Sequence, residues 1–223
     1  MKSDLYERKW SKFLKRVRLF RYVPFVDFVL ASGSLATGRV RESSDFDVLV
    51  GVRQGRIFTT RFFAVLIFEL GGYRRRAADH SVGAPDKICL NHFVTHRRYR
   101  LNPPYDSSYE ELYRSLVPVM GDEEKMGQFF KDNDWLKPPR VYQRGDRYLG
   151  KGDSWFKRTL EFILGGSFGS LLERLKGLQI IKVERGLKGA MGHDGRIAYT
   201  DDELQFHPDR SKWIGKRLTG EGN

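Results

Sequence analysis

Apolar residues at Leu5, Trp10, Phe13, Leu14 and Val17 recur at helical spacing inside a Lys/Arg-rich run, which predicts an amphipathic helix over residues 4–21. Pro24 ends it, and the β-branched and aromatic run FVDFVLA, Phe25 to Ala31, reads as a strand. Gly33 and Ser34 form a turn into the short helical segment LATG, and Phe46 to Val52 is apolar enough for a central strand. Residues 56–70, RIFTTRFFAVLIFEL, are apolar on most sides and predict a helix buried against the sheet, stopped by Gly71-Gly72. Lys87 to Val94, KICLNHFV, reads as a third strand. Further helices are expected at 108–118, 122–132 and 154–183, where Gly165-Gly166 and Gly169 either break the last one or let it pack closely. After a glycine-rich loop over 186–195, Arg196 to Tyr199 reads as a short strand and the final residues as a frayed tail.

This order predicts an α+β fold, a small mixed sheet packed with helices and followed by a helical C-terminal region. Composition shifts at Asn102-Pro103-Pro104, dividing the chain into a first domain over 1–104, a helical domain over 105–185 and a loop and tail over 186–223. With 223 residues, 40% of them apolar and 13% aromatic, the chain can bury a real core and is not a disordered tail. The single cysteine, Cys89, excludes an internal disulfide, fits a reducing compartment and reads as a small core residue within its strand. The charged N-terminus has no signal-peptide core, and the most apolar runs, Phe62 to Leu70 and Phe162 to Leu172, are too short to span a bilayer. A soluble, cytoplasmic protein without a membrane partner is expected.

Charge changes the picture. The net charge is +12, and residues 1–104 hold 20 Lys+Arg against 9 Asp+Glu, whereas residues 105–223 hold 20 against 19. The excess positive charge therefore lies in the first half, as a polyanionic partner such as a nucleoside triphosphate or a nucleic acid would favour. A solvated basic face is the plainer alternative. The runs Arg74-Arg75-Arg76 and His96-Arg97-Arg98-Tyr99-Arg100 are open to the same two readings.

That half also contains ASGSLATGRVRESSDFDVLV, Ala31 to Val50. On a strand Asp45 and Asp47 share a face, roughly 6–7 Å apart at the backbone, while Phe46 points the other way. Two carboxylates so close repel unless a cation sits between them. Oxygen donors without a neighbouring Cys or His favour a hard ion, Mg²⁺ or Mn²⁺, and Mg²⁺ is usually held by one or two carboxylates together with phosphate oxygens. Gly33-Ser34 offers a place for that phosphate, because glycine lets it approach the backbone N–H groups and the serine hydroxyl adds a donor.

Gly33-Ser34-x-Ala36-x-Gly38 followed by Ser44-Asp45-x-Asp47-Val48-Leu49-Val50 resembles the signature of the polymerase-beta-type nucleotidyltransferase superfamily, and is most similar to its minimal nucleotidyltransferase domain group. The resemblance implies a polymerase-beta-like fold and transfer of a nucleoside monophosphate from an NTP to an acceptor such as an RNA end, a protein hydroxyl or a small molecule. It implies that Asp45 and Asp47 bind Mg²⁺ or Mn²⁺ and that Gly33 and Ser34 grip the phosphates. Arg39 and Arg41 follow the turn and are open to two readings, contact with the triphosphate or plain solvation. The family's third carboxylate comes from a later strand. KICLNHFV contains no acid, so Asp86 just before it is the candidate third catalytic residue, and Asn91 is the most polar inward position within it. Two rivals stand beside the enzyme: a catalytically inactive nucleotide- or RNA-binding module on the same fold, and an antitoxin-like partner protein, against which the length of the chain counts.

Overall fold

The computed structural model describes residues 2–76, 79, 84–102, 107–175 and 196–207. The glycine-rich loop expected at 186–195, the 176–183 end of the last expected helix and residues 208–223 lie outside the described residues. The chain runs through α1 (Lys2–Val17), a 3-10 turn (Arg18–Tyr22), β1 (Val26–Ser32), α2 (Gly33–Ala36), β2 (Phe46–Val52), α3 (Ile57–Leu70) and β3 (Ile88–Thr95). There follow α4 (Ser107–Arg114), β4 (Val117–Gly121), α5 (Glu123–Asp132), α6 (Trp155–Leu164), a helical run over 167–175, β5 (Arg196–Tyr199) and β6 (Glu203–His207).

The six strands form one mixed sheet in the order β4-β1-β2-β3-β6-β5. Only β2 and β3 run parallel; every other neighbouring pair is antiparallel. β1 and β2 bury both faces, so their apolar residues divide by alternation. Val29, Ala31, Phe46, Val48 and Val50 enter one core with Trp10, Phe13 and Val17 of α1 and Phe68 of α3. Phe28, Leu30 and Leu49 enter a second with Tyr109 and Tyr113 of α4 and Met126, Phe129 and Phe130 of α5. The α1 side is held by a relay of edge-to-face rings, Tyr6 to Trp10 at 6.2 Å, Trp10 to Phe13 at 5.5 Å and Phe13 to Phe46 at 5.4 Å. Each such pair contributes about 1 kcal/mol beyond its area of burial.

Two elements differ from the sequence expectation. The helix expected over 108–118 ends at Arg114, and Val117–Gly121 is instead a strand on β1. Pro118 explains the change: it disfavours helical backbone at Val117, and its missing N–H is tolerated because β4 lies at the edge of the sheet. The tail read as frayed contains β6, which pairs with both β3 and β5. Buried hydrogen bonds secure it: His92 on β3 lies 3.1 Å from both Glu203 and the Tyr113 hydroxyl, and Asn102 donates to Glu203 at 2.7 Å. The sheet thus takes strands from both sides of Pro104. α6 ends at Leu164 and helix resumes at 167, so Gly165-Gly166 does break the last long helix. Among the described residues no helix is long and apolar enough to cross a membrane.

Phe13 is fully buried between Trp10 and Phe46. Phe13→Ala is expected to destabilise the fold by about 3–5 kcal/mol, read as a fall in the urea midpoint with little change in slope.

Candidate functional site

The site lies where β1 ends and β2 and β3 begin. Ser32, the last residue of β1, is in register with Asp47 on β2. The chain then bends sharply at Gly33, whose φ is +66°. A Cβ on Gly33 would lie 2.1 Å from Asp47 Oδ2, so both the backbone angle and the space demand glycine. Beyond the bend, Thr37 donates from its hydroxyl and its backbone N–H to the Gly33 carbonyl at 3.1 and 3.0 Å, and the Arg39 N–H bonds the Ser34 carbonyl at 2.9 Å. The bend is therefore fastened from behind, and Asp47 is pressed against it from the front.

Asp45 and Asp47 reach the same side of β2. The parallel register sets Cys89 of β3 beside Asp47, and the ligand atoms of Asp45, Asp47 and Cys89 all lie within 4.8 Å of one another. Asn91, two residues after Cys89, shares its face and reaches the site, its Nδ2 donating to Asp47 Oδ1 at 3.4 Å. A further contributor is Arg75. The segment after α3 is zipped to the start of β3, with Ile88 N–H on the Tyr73 carbonyl at 2.7 Å and Arg75 N–H on the Ile88 carbonyl at 2.9 Å. This delivers the Arg75 guanidinium to Asp45 Oδ2 as an ion pair and to within 3.9 Å of Cys89 Sγ.

The electrostatics follow from that seating. Burial works against the charge on Arg75, but the neighbouring Asp45 and Asp47 carboxylates outweigh it and the guanidinium pKa rises. Cys89 is pushed well above the ordinary thiol value of 9.0, first by burial and then by the charges of Asp47 and Asp45, with Arg75 opposing only in part. With nothing else bound, Cys89 is a neutral thiol.

Asp86, the candidate third carboxylate, is held elsewhere. It sits at φ +66°, a conformation aspartate tolerates, and its two oxygens receive Lys9 and Lys12 of α1 at 2.7 Å each. Its carbonyl accepts from Arg16. Among the described residues the group that gathers with Asp45 and Asp47 is completed by Cys89, not by Asp86. This corrects the premise of an oxygen-only donor set, which rested on no cysteine being near. Arg39 is exposed and engages Glu111 of α4 through both guanidinium nitrogens, at 2.6 and 3.0 Å, and Arg41 is exposed in the loop before β2. Ser34 is half-buried at the bend. Beside it an open cleft of about 420 Å³ separates α2 from α4, lined by Ala36, Thr37, Glu110, Glu111 and Arg114 among others.

Cys89 and Arg75 were not legible as site residues. Alternation from Asn91 places Cys89 on the inward side of its strand, a signal that existed once Asn91 was singled out. Nothing in the run Arg74-Arg75-Arg76 marks its middle member, and the structure separates them: Arg74 and Arg76 both pair with Glu69 of α3, whereas Arg75 turns into the site. Comparison with known proteins adds no guide, since no protein-family model, no curated protein and no solved structure matches this chain.

The group is one that could hold a metal ion. Two carboxylates and a thiol converge, and a guanidinium already supplies positive charge at that point.

Two outcomes are expected. Gly33→Ala destabilises the fold by about 2 kcal/mol, the combined cost of left-handed backbone and close contact, and costs measurably less in an Asp47→Ala background, as a double-mutant cycle by urea denaturation reads out. Burial alone would raise the Asp86 pKa, but hydrogen bonds from Lys12 and Lys9 lower it below its ordinary 3.8. Its stabilising contribution is then complete above about pH 4 and is lost as pH falls through the lowered value, so Asp86→Asn flattens the acid limb of stability against pH.

Proposed function

We propose that this protein is a divalent-metal-dependent nucleotidyltransferase that transfers a nucleoside monophosphate from an NTP to an acceptor. The observation that carries the reading is the packing of the Gly33 bend directly against the Asp47 carboxylate, with Asp45 beside it. A phosphate chain and a cation have no use for each other at a distance; here the backbone that would receive one touches the side chain that would hold the other.

In this reading Asp45 and Asp47 would hold Mg²⁺ or Mn²⁺, which would supply positive charge against that of the triphosphate and the departing pyrophosphate. The chain's own groups do the positioning. Backbone N–H groups at Gly33 and Ser34 and the Ser34 hydroxyl donate to phosphate oxygens. Arg41 stands exposed for the same task, and Arg39 joins it by releasing Glu111. The cleft between α2 and α4 adjoins the bend and suits the acceptor or the base. An RNA end, a protein hydroxyl or a small molecule all remain open as acceptor, and the positive balance of residues 1–104 favours an anionic one.

A second reading, a catalytically quiet nucleotide-binding module, has its own support. Asp45 is already neutralised by Arg75, and β3 brings Cys89 and Asn91 to the acids rather than a third carboxylate.

One assay separates the two. The protein is incubated with Mg²⁺ or Mn²⁺, each α-labelled NTP and either total RNA or cell lysate, beside the Asp45→Ala/Asp47→Ala double variant. The enzyme reading expects covalent label transfer that the double variant lacks. Metal-dependent NTP binding without transfer assigns the module instead.

A further inference from the structure

The cluster at the mouth of β2 contains one ligand that a magnesium site does not use. Cys89 places its sulfur within 4.8 Å of ligand oxygens from both Asp45 and Asp47. Its position is fixed by the sheet and not by a mobile loop: Cys89 pairs in register with Asp47, and the flanking Ile88 is fully buried. The acids already draw positive charge to this place. Arg75 is threaded there by two backbone hydrogen bonds to β3, pairs with Asp45 and lies within 3.9 Å of the sulfur. Positive charge is thus already seated beside Asp45 and Cys89.

We propose that Asp45, Asp47 and Cys89 together form a thiolate-containing site for a borderline transition-metal dication of the Zn²⁺ or Co²⁺ class, with Arg75 holding the place of that ion until it arrives. The inference rests on the metal-dependent reading above and narrows it. Carboxylate oxygens alone discriminate weakly among divalent ions, whereas a sulfur donor favours the softer ions and gains little from Mg²⁺. Binding forms a metal–sulfur bond and breaks the S–H bond, and the proton leaves to solvent. At the same time the ion takes over the neutralisation of Asp45, and the guanidinium of Arg75 is released. Freed beside a bound triphosphate, it gains phosphate oxygens as partners, which guanidinium binds well. Arg75 therefore opposes metal in the absence of nucleotide and supports nucleotide once metal is in place.

Co²⁺ is the probe, because its bond to sulfur has a near-ultraviolet charge-transfer band independent of any catalytic assay. Titration of the full chain with Co²⁺ under anaerobic reducing conditions is expected to produce that band. Cys89→Ser, checked for native circular dichroism, loses it and binds Co²⁺ about ten- to a hundred-fold more weakly, with Mg²⁺ affinity unchanged. Arg75→Gln retains the band and binds Co²⁺ severalfold more tightly, but in the presence of metal binds NTP more weakly than the parent.

Co²⁺ binding without the band, a band that survives Cys89→Ser, or no Co²⁺ binding by either the parent or Arg75→Gln overturns the proposal. If Mg²⁺-dependent NTP binding persists in any of those cases, the thiolate site alone is lost and the nucleotide reading stands. If NTP binding fails as well, both fall.

Discussion

Two carboxylates two residues apart on one face of a strand cannot be left uncompensated at the edge of a buried sheet. This constraint organises the mouth of the molecule. Asp45 and Asp47 stand where β1, β2 and β3 meet, and each neighbour answers the charge in its own way. Arg75 supplies a formal positive charge, Asn91 donates a hydrogen bond to Asp47, and the Gly33 backbone gives up its side chain so that Asp47 has room. Removing any one answer increases the demand on the others, because the two acids share a single local field.

The sheet makes that meeting possible by being parallel at one place. With β2 and β3 running the same way, both begin at the same end, which is also where the antiparallel β1 finishes. The residues that open β2, those that open β3 and the bend that follows β1 are therefore brought to one edge. α3 fills the crossover between the parallel strands, and its buried Phe68 packs on Phe20 of the turn after α1 at 4.8 Å between ring centres. The fold and the site thus share a cause in the topology of three strands.

Much of this was legible in the residues. The helices at 2–17, 57–70 and 123–132 and the strands at 26–32, 46–52 and 88–95 follow from periodicity, because each has a continuous apolar face long enough to outvote local preference. That Asp45 and Asp47 share a face follows from strand alternation, a local rule, whereas their convergence with Gly33 was an expectation that the pairing of Ser32 with Asp47 meets. What escaped depends on pairing at a distance. Glu203–His207 is a strand only because β3 and β5 lie on either side of it, and Val117–Gly121 because β1 has an open edge there. Arg75 and Cys89 belong to the same category: both come beside the acid pair through the pairing of β3 with β2 and of the segment after α3 with β3.

Lys9 carries a consequence for how the chain is handled. Fully buried on α1, it donates to the Glu42 and Ser44 carbonyls at 2.6 and 3.0 Å and pairs with Asp86 at 2.7 Å, spanning the loop that leads into β2 and the residue that precedes β3. One ammonium thereby ties together the stretches that lead into β2 and β3 from the back of the sheet. An affinity tag, fusion junction or proteolytic trim that unravels the opening turns of the polypeptide slackens the carboxylate mouth while touching none of its residues.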